Sequence, residues 1–311
     1  MQQESSKIFM VRPAHFAFNE QTAESNSFQN APEDISGVQT KVWAEFDAAV
    51  ATLRNAGVDV WVIEDTDDVI KPDAVFPNNW ISTHEDGTIV LYPMLTPNRR
   101  AERRLDIVES LKENFEVSRI LDLSGYEVGD EFLEGTGSIV FDHEARLAYA
   151  CLSPRTHLRV LQHLCQEIGY KPIIFHSADE QGQDIYHTNV VMGIAKGFVM
   201  ICLESVKDEE ERALLKASFE TSGKEIIDIS FNQLKSFGGN VLAVLGESGE
   251  SYLAISLTAY TSLSERQKER ISRHSKVLPI SIPTIETIGG GSVRCMLAQN
   301  FLKSNSEVLK S

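Results

Sequence analysis

The stretch VFPNNWISTHEDGTIVLYP, residues 75–93, contains the pattern from which the fold is predicted. Two short apolar segments flank the dipeptide Asp86-Gly87, which favours a tight hairpin turn, so the stretch predicts two antiparallel strands. A helix is predicted from about Asn98, with apolar residues on one face: Ala101, Leu105, Val108 and Leu111. The segment EVSRILDL then predicts a third strand, so this unit has the order strand, strand, helix, strand.

The same order recurs along the rest of the chain. The second unit has strands GSIVFD, RLAYACL and KPIIF, and a helix that carries Leu158, Leu161, Cys165 and Ile168. The third has NVVMGIA, GFVMICL, a helix over 207–221 and EIIDIS. The fourth has NVLAVLG, SYLAISL, a helix with Ser262 and Glu265 at capping-box spacing, and KVLPISI. Such repetition of one unit is typical of repeat architectures.

The two ends of the chain supply a fifth unit. Its first strands are predicted in 291–302 and KIFMVR, its helix in 40–56 with Val42, Phe46, Val50 and Leu53 on one face, and its last strand in DVWVI. No low-complexity linker separates the units, so residues 1–311 are predicted to form a single α/β domain of ββαβ units. Joining the termini in one unit would close the units into a ring.

The composition excludes some classes of partner. The chain has 311 residues, 42% of them hydrophobic, and a net charge of −16, which opposes binding to nucleic acid or to an anionic membrane. No apolar run is long enough to span a bilayer, and the N-terminus is too polar for a signal peptide. The cysteines show no disulfide or metal spacing, so a cytoplasmic protein with reduced thiols and no cofactor is expected.

Five polar residues recur at intervals of 53 to 55 positions, each just before or at the first strand of a unit: Asn79, Glu134, His187, Asn240 and Cys295. Equivalent positions in a closed ring of five units meet near its axis. The sequence therefore predicts that these side chains surround one small pocket.

Three of these residues form a set suited to nucleophilic catalysis. Cys295 follows three glycines in IGGGSVRC, which allow either close approach of the backbone to a ligand or a positive φ, and Arg294 could stabilise its thiolate. His187 could move protons near neutral pH, and Glu134 could orient its imidazole. A buried, inert cysteine is the alternative for Cys295, and it is the preferred interpretation of the other three: Cys151, Cys165 and Cys202.

The motifs FPNNW, LEGTGS, YHTN and GGGSVRC resemble, in order and spacing, those of the guanidine-modifying enzymes of the pentein superfamily. That superfamily includes arginine and agmatine deiminases, dimethylarginine hydrolase and the amidinotransferases. The resemblance extends over nearly the whole chain and implies a five-bladed, pseudo-symmetric α/β propeller. It also implies that Cys295 attacks the substrate carbon, that His187 transfers protons and that Glu134 supports His187.

Two departures from the family pattern bear on the substrate. Members that act on arginine-like cations usually have aspartate in the positions that match Asn79 and Asn189. An amide both donates and accepts hydrogen bonds, so Asn78, Asn79 and Asn189 suit a neutral ureido group better than a cation. The pattern looks closest to the citrulline-hydrolysing branch, which forms ornithine, carbon dioxide and ammonia.

Further residues are expected to bind the rest of an amino-acid substrate. Arg155 resembles the arginine of the family that holds the α-carboxylate, and Arg99 is a second candidate. Asn240 is expected to line the pocket. Asn19 and Asn26 lie in a polar segment that could cover the site, and the sequence assigns them no role.

Two other functions stay open at this point. One is hydrolysis or transfer of a cationic guanidino group, as in arginine or methylarginine. The other is a non-catalytic binding protein with the same fold, against which the Cys–His–Glu set counts. The expected partner is a small amino acid, and the sequence leaves open whether the chain forms a homo-oligomer.

Overall fold

The computed structural model describes residues 2–305 and contains five three-stranded sheets within them. In each sheet the middle strand pairs antiparallel with the first strand of the unit and parallel with the last. The sheets, in strand order, are β15 (Ala298–Gln299), β1 (Lys7–Arg12) and β2 (Asp59–Glu64); β3 (Ile81–Thr83), β4 (Thr88–Leu91) and β5 (Arg119–Asp122); β6 (Val140–Asp142), β7 (Leu147–Cys151) and β8 (Lys171–Phe175); β9 (Met192–Ile194), β10 (Phe198–Ile201) and β11 (Glu225–Asp228); and β12 (Leu242–Leu245), β13 (Ser251–Ser256) and β14 (Lys276–Ile280). The predicted α/β propeller of five ββαβ units is confirmed, including the unit built from both ends of the chain.

A helical crossover joins the middle and last strands of every sheet, because parallel neighbours cannot be joined by a hairpin. These crossover helices are α2 (Val38–Asn55), α4 (Leu105–Asn114), α6 (Leu158–Ile168), α8 (Glu209–Thr221) and the pair α10 (Leu257–Ser262) and α11 (Glu265–Ser272). Their apolar faces pack on the sheets. In α2 the predicted face is buried, and each such side chain contributes about 1.5–3 kcal/mol of hydrophobic stabilisation: Val42, Phe46, Val50 and Leu53.

Short helical turns lie before the first strands of the sheets and in other connections. They are the 3₁₀ turns Pro77–Asn79, Ser124–Gly129 and Leu203–Ser205, and the helices α1 (Glu20–Ala23), α3 (Pro97–Arg100), α5 (Gly135–Ser138), α7 (Thr188–Val191), α9 (Phe231–Lys235), α12 (Pro283–Gly289) and α13 (Val293–Met296). Four of them lead into β3, β6, β9 and β15. They bring the residues of the recurring polar pattern to one end of the ring.

The helix predicted from Asn98 is interrupted. The structure has α3 and α4 there, separated by residues 101–104, and Leu105 is 67% exposed instead of buried. The break occurs because Glu102 turns inward and accepts two hydrogen bonds from Arg99. Thr96, not Asn98, precedes α3, and the Asn98 amide donates to Asn19 Oδ1 instead.

The capping box of the fourth unit is displaced by two residues from its predicted place. Ser262 ends α10, and the capping box is formed by Ser264 and Gln267 at the start of α11. The Ser264 hydroxyl accepts from the backbone N–H of Gln267, and the Gln267 side chain accepts from the backbone N–H of Ser264.

Membrane insertion through a helix finds no support in the part of the chain that the structure describes. Within residues 2–305, no helix combines the length and the apolar character that crossing a bilayer requires.

Candidate active site

The short turns that precede the first strands position the predicted catalytic side chains. Glu134 directly precedes α5, His187 directly precedes α7, and Cys295 lies inside α13. Asn79 ends a 3₁₀ turn, and Asn240 precedes β12. The structure thus places all five residues of the recurring pattern at the same end of the five sheets, and all five are buried.

A hydrogen bond of 2.9 Å joins His187 Nε2 to Glu134 Oε2. Burial lowers the pKa of His187 to about 4, although the hydrogen bond and the charge of Glu134 act in the opposite direction. Burial by itself would raise the pKa of Glu134, but Arg155, His187 and Arg99 together hold it well below its usual value. The resting pair is therefore a neutral imidazole beside a carboxylate.

Two arginines also approach the Glu134 carboxylate. Arg155 Nη1 lies 3.4 Å and Arg99 Nη1 3.7 Å from Glu134 Oε2. The other carboxylate oxygen accepts from the backbone N–H of Leu95 at 3.1 Å. A buried carboxylate is stable only when paired and hydrogen-bonded, and these partners satisfy both needs. They also orient Glu134 toward His187.

The Cys295 thiol faces amides. Asn240 Nδ2 lies 3.3 Å and Asn189 Nδ2 3.4 Å from its Sγ, and Cys295 is 4% exposed. Asn240 Nδ2 also donates to the backbone oxygen of Asn189 at 3.0 Å, which ties the two amides together. The amide N–H groups are positioned to stabilise negative charge on the sulfur.

The three other cysteines are buried away from this cluster. Burial raises the pKa of each thiol to about 12, so none has thiolate character near neutral pH: Cys151, Cys165 and Cys202. Their positions agree with the interpretation of these residues as core.

Asn78 and Asn79 differ in how their amides are used. Asn79 Oδ1 accepts from Arg99 at 3.1 Å, and its Nδ2 donates to the backbone oxygen of Glu134 at 3.5 Å. Both amide atoms of Asn78 are buried and have no hydrogen-bond partner in the protein, and the same holds for Asn189 Oδ1. Because buried polar groups are almost always paired, Asn78 and Asn189 are the amides available to a substrate.

The glycines before Cys295 pack closely against other parts of the protein, and one of them takes up the positive φ that the sequence allowed for. A Cβ atom added at Gly289 or Gly291 would lie 2.9 Å from the ring of Phe76. Gly290 has φ +63°, and a Cβ atom there would meet Asn26 and Gln29 at 2.6 and 2.5 Å. The glycines let this segment pack closely against Phe76, Asn26 and Gln29.

Two buried acids near the site were not predicted from the sequence. Glu102 accepts from Arg99, and burial raises its pKa to about 7. Asp73 Oδ2 accepts from Asn19 Nδ2 at 2.7 Å, whereas Asp73 Oδ1 has no partner. Burial raises the pKa of Asp73. The sequence signal for Glu102 was its place three residues after Arg99, where an ion pair along a helix is possible. The signal for Asp73 was an acidic residue directly before the apolar residues that lead into FPNN.

The segment of residues 19–30 covers the site. Arg155 Nη2 donates to the backbone oxygen of Thr22 at 3.2 Å and to Ser25 Oγ at 2.6 Å. Asn26 Nδ2 lies 3.3 Å from the backbone oxygen of Gly290, and Asn19 binds Asp73. The structure thereby shows contacts for Asn19 and Asn26 that the sequence could not assign. We call residues 19–30 the covering segment.

The propeller and the buried set of Cys295, His187 and Glu134 define the chain as a member of the pentein superfamily, in agreement with the resemblance of its motifs. Residues 12–302 match the family model described as N,N dimethylarginine dimethylhydrolase, eukaryotic. The chain belongs to this family.

Solved structures of similar fold include two of ArgZ, an arginine dihydrolase from the ornithine-ammonia cycle in cyanobacteria. The N-terminal domain of ArgZ, as a cysteine-to-serine variant bound to substrate, has a TM-score of 0.73 and 16% identity, with 95% of this chain and 99% of that chain covered. The apo ArgZ structure has the same TM-score and identity, and the match covers 94% of this chain and 40% of that chain. The chain thus spans less than half of the longer ArgZ protein.

A third structure of the same fold is dimethylarginine dimethylaminohydrolase, as a histidine-to-glycine variant carrying an adduct of S-methyl-L-thiocitrulline. It has a TM-score of 0.65 and 13% identity, with 96% of this chain and 100% of that chain covered. No curated protein sequence matches this chain. At these identities the structures establish the fold, and the substrate has to be argued from the residues of the site.

Proposed function

We propose that the protein is a cysteine hydrolase that cleaves the ureido group of citrulline and releases ornithine, carbon dioxide and ammonia. The observation that carries this proposal is the buried amide of Asn78, whose donor and acceptor atoms are both unpaired within the protein. A ureido group offers a carbonyl and N–H groups, and it can satisfy both ends of such an amide. The unpaired Oδ1 of Asn189, beside Cys295, adds a second acceptor for a substrate N–H.

The charges around the site support a neutral reacting group. Glu134 is engaged by His187 and Arg155, and Glu102 is engaged by Arg99. Among the described residues of this cluster, the one acidic oxygen without a hydrogen-bond partner is Asp73 Oδ1, which we assign below to the α-ammonium group. A guanidinium placed between Asn78 and Cys295 would then meet amides and no further free carboxylate. Burying an uncompensated cation there would cost about several kcal/mol.

Asp73 and Arg155 are suited to bind the amino-acid end of the substrate. Asp73 Oδ1 is a buried acceptor without a partner, which fits an α-ammonium group. Arg155 is 2% exposed and binds the covering segment through Thr22 and Ser25. We propose that an incoming carboxylate takes the place of these two contacts, so that the covering segment has to move during binding.

The first half of the reaction transfers the carbamoyl group to sulfur. Cys295 Sγ attacks the ureido carbon while its proton passes to neutral His187, and Glu134 stabilises the imidazolium that forms. The imidazolium then protonates the departing nitrogen, and the C–N bond breaks. The donor N–H groups of Asn189 and Asn240 stabilise the sulfur while it carries negative charge.

The second half hydrolyses the thioester. His187 removes a proton from water, the resulting hydroxide attacks the thioester carbon, and the carbon–sulfur bond breaks. The sulfur regains its proton from His187. The departing nitrogen of the first half belongs to ornithine, and the carbamate released in the second half decomposes to carbon dioxide and ammonia. In this scheme the protein's own side chains handle every proton and no cofactor takes part.

Hydrolysis of a cationic guanidino group is the second candidate, because the matching family model is described by dimethylarginine and ArgZ is an arginine dihydrolase. It uses the same Cys295, His187 and Glu134. An amidinotransferase would differ by requiring an amine acceptor for turnover. A non-catalytic binding protein would leave Cys295 unreactive toward thiol reagents.

The test is product analysis with purified protein and citrulline as the only substrate. The proposal predicts release of ornithine and ammonia in equal amounts, and loss of both in Cys295→Ala. Cys202→Ala is the matched control, since Cys202 is buried in the core away from the site, and it should retain activity. Full activity of the Cys295→Ala protein would rule out the mechanism.

A further inference from the structure

The first strands of the five sheets enclose a cavity on the axis of the ring. It is lined by residues of β3, β6, β9 and β15 and by Val241 and Leu242, and its volume is about 30 Å³. Gln3 also lines it, with an amide that is held by the backbone of Phe141 and His143 at 2.9 and 2.7 Å. The cavity is separate from the substrate cluster, which lies in the turns before these strands.

Arg294 brings a positive charge into this cavity. It is 7% exposed, and its Nη1 donates to the backbone oxygen of Leu297 at 3.1 Å. No carboxylate among residues 2–305 forms an ion pair with it, in contrast to Arg99 and Arg155. Burying an arginine without a counter-charge is costly, and buried arginines are almost always paired.

The rest of the lining is neutral. Within the described chain, the lining residues include no aspartate, glutamate or lysine. Burial lowers the pKa of His84 to about 4 and lowers that of His143 as well, so both imidazoles are uncharged near neutral pH. Arg294 is therefore the single charged side chain among the described lining residues.

Two further polar atoms in the lining are unpaired. Gln299 Nε2 and His84 Nδ1 are buried and have no hydrogen-bond partner in the protein. Gln299 Nε2 is an N–H donor, as is the guanidinium, and together they form a setting for a negatively charged ligand. The cavity has room for roughly two water molecules, which is also enough for one halide ion.

We infer that this axial cavity is a binding site for a small monovalent inorganic anion of the size of chloride, which neutralises Arg294. Since Arg294 directly precedes Cys295 in α13, the anion would lie close to the proposed nucleophile. The inference does not rest on the proposed function. It follows from the charge of Arg294, which no carboxylate of the described residues pairs, from the donor Gln299 Nε2 and from the volume of the cavity.

Bromide is the probe, because its anomalous scattering locates it in crystals. Crystals of the full chain soaked in sodium bromide should show an anomalous peak within hydrogen-bonding distance of Arg294 and Gln299. In solution, bromide and chloride should raise Tm by about 2 °C or more relative to gluconate at equal ionic strength. The absence of a peak at saturating bromide, or equal Tm values in all three salts, would overturn the inference.

Two variants and one control assign the effect to the cavity. Arg294→Met should abolish the halide-specific rise in Tm. Gln299→Leu keeps the buried charge and should weaken halide binding several-fold, which provides a test if Arg294→Met does not fold. Arg273→Met removes an arginine whose side chain is 58% exposed, and it should leave the rise unchanged. A rise that persists unchanged in the Gln299→Leu and Arg294→Met proteins would place the anion elsewhere and overturn the inference.

Discussion

His187 and Glu134, 53 residues apart in sequence, are joined by a 2.9 Å hydrogen bond in a part of the protein where both side chains are fully buried. Arg155 and Arg99, which also approach Glu134 Oε2, keep this carboxylate ionised, and burial keeps His187 neutral. In the mechanism proposed above, a neutral base held by a charged partner accepts the proton of the attacking thiol. The relationship leads to the first two predictions.

Replacing Glu134 by glutamine should preserve the side-chain shape and remove the charge that stabilises the imidazolium. We expect kcat for citrulline to fall by about 10²- to 10⁴-fold, with a smaller change in KM. The measurement is steady-state kinetics, accompanied by circular dichroism to confirm folding. Glu131→Gln, which alters a nearby glutamate paired with the exposed Arg159, is the control and should change kcat little. A Glu134→Gln enzyme with nearly normal kcat would contradict the role of this pair.

The depressed pKa of His187 should appear in the stability of the protein. In the unfolded chain this histidine takes up a proton near pH 6.5, whereas in the folded chain it does so only near pH 4. The unfolded state therefore binds more protons between these values, and the free energy of unfolding falls as the pH drops from 6.5 to 4. At pH 5 this difference in protonation lowers the free energy of unfolding by about 2 kcal/mol.

Urea unfolding of the native protein and of His187→Asn, at pH 7 and at pH 5, measures this contribution. The variant should lose less stability than the native protein between the two pH values. Equal losses would show that His187 titrates alike in both states, which would contradict the lowered pKa of its imidazole in the folded protein.

Gly137 is expected to be intolerant of any side chain. A Cβ atom at this position would lie 2.2 Å from Asn79 Nδ2 and 2.7 Å from His187 Nδ1. Gly137→Ala should displace one of these groups and lower kcat/KM by about 10²-fold, because displacements of about 1 Å at a catalytic group have effects of this size. Gly125→Ala adds its methyl group where no atom lies within 4 Å, so its kinetics should match those of the native enzyme.

Asn78 should determine the choice between neutral and cationic substrates. Asn78→Asp places a carboxylate where the amide has no partner, and a charge-assisted bond to a guanidinium is about twice as strong as a neutral one. The ratio of kcat/KM for arginine to that for citrulline should rise by about 10-fold or more. Asn55→Asp, on the exposed end of α2, should leave the ratio unchanged. An unchanged ratio in Asn78→Asp would indicate that Asn78 does not contact the reacting group.

The sequence predicted the ring, and the placement of the five recurring polar residues at one end of it, because both depend on local patterns. Recurring apolar strands, one turn signal and a regular spacing are sufficient to place Cys295, His187 and Glu134 at the same end of the ring. The break between α3 and α4 was not predictable in this way. It depends on Glu102 turning inward to pair with Arg99, and the spacing of apolar residues along a helix does not indicate such a contact.

The sequence could not show which of Asn78 and Asn79 has an amide without a partner in the protein. Adjacent residues of one type cannot be separated by pattern, and the structure separates them through Arg99, which engages Asn79 alone. Asp73 was missed for a related reason. Its partner Asn19 lies in the covering segment, and although the sequence suggested that this segment could cover the site, it does not indicate which residues the segment contacts there.

Competition between two labelled substrates tests the central claim most directly. Purified enzyme receives equal concentrations of citrulline and arginine that carry different isotopes in the ornithine portion, and mass spectrometry follows the ornithine formed from each. The account predicts that nearly all labelled ornithine comes from citrulline, and that Cys295→Ala forms none. Ornithine derived mainly from arginine would retain the chemistry of Cys295, His187 and Glu134 but contradict the proposal that the amides of Asn78 and Asn189 select a neutral ureido group.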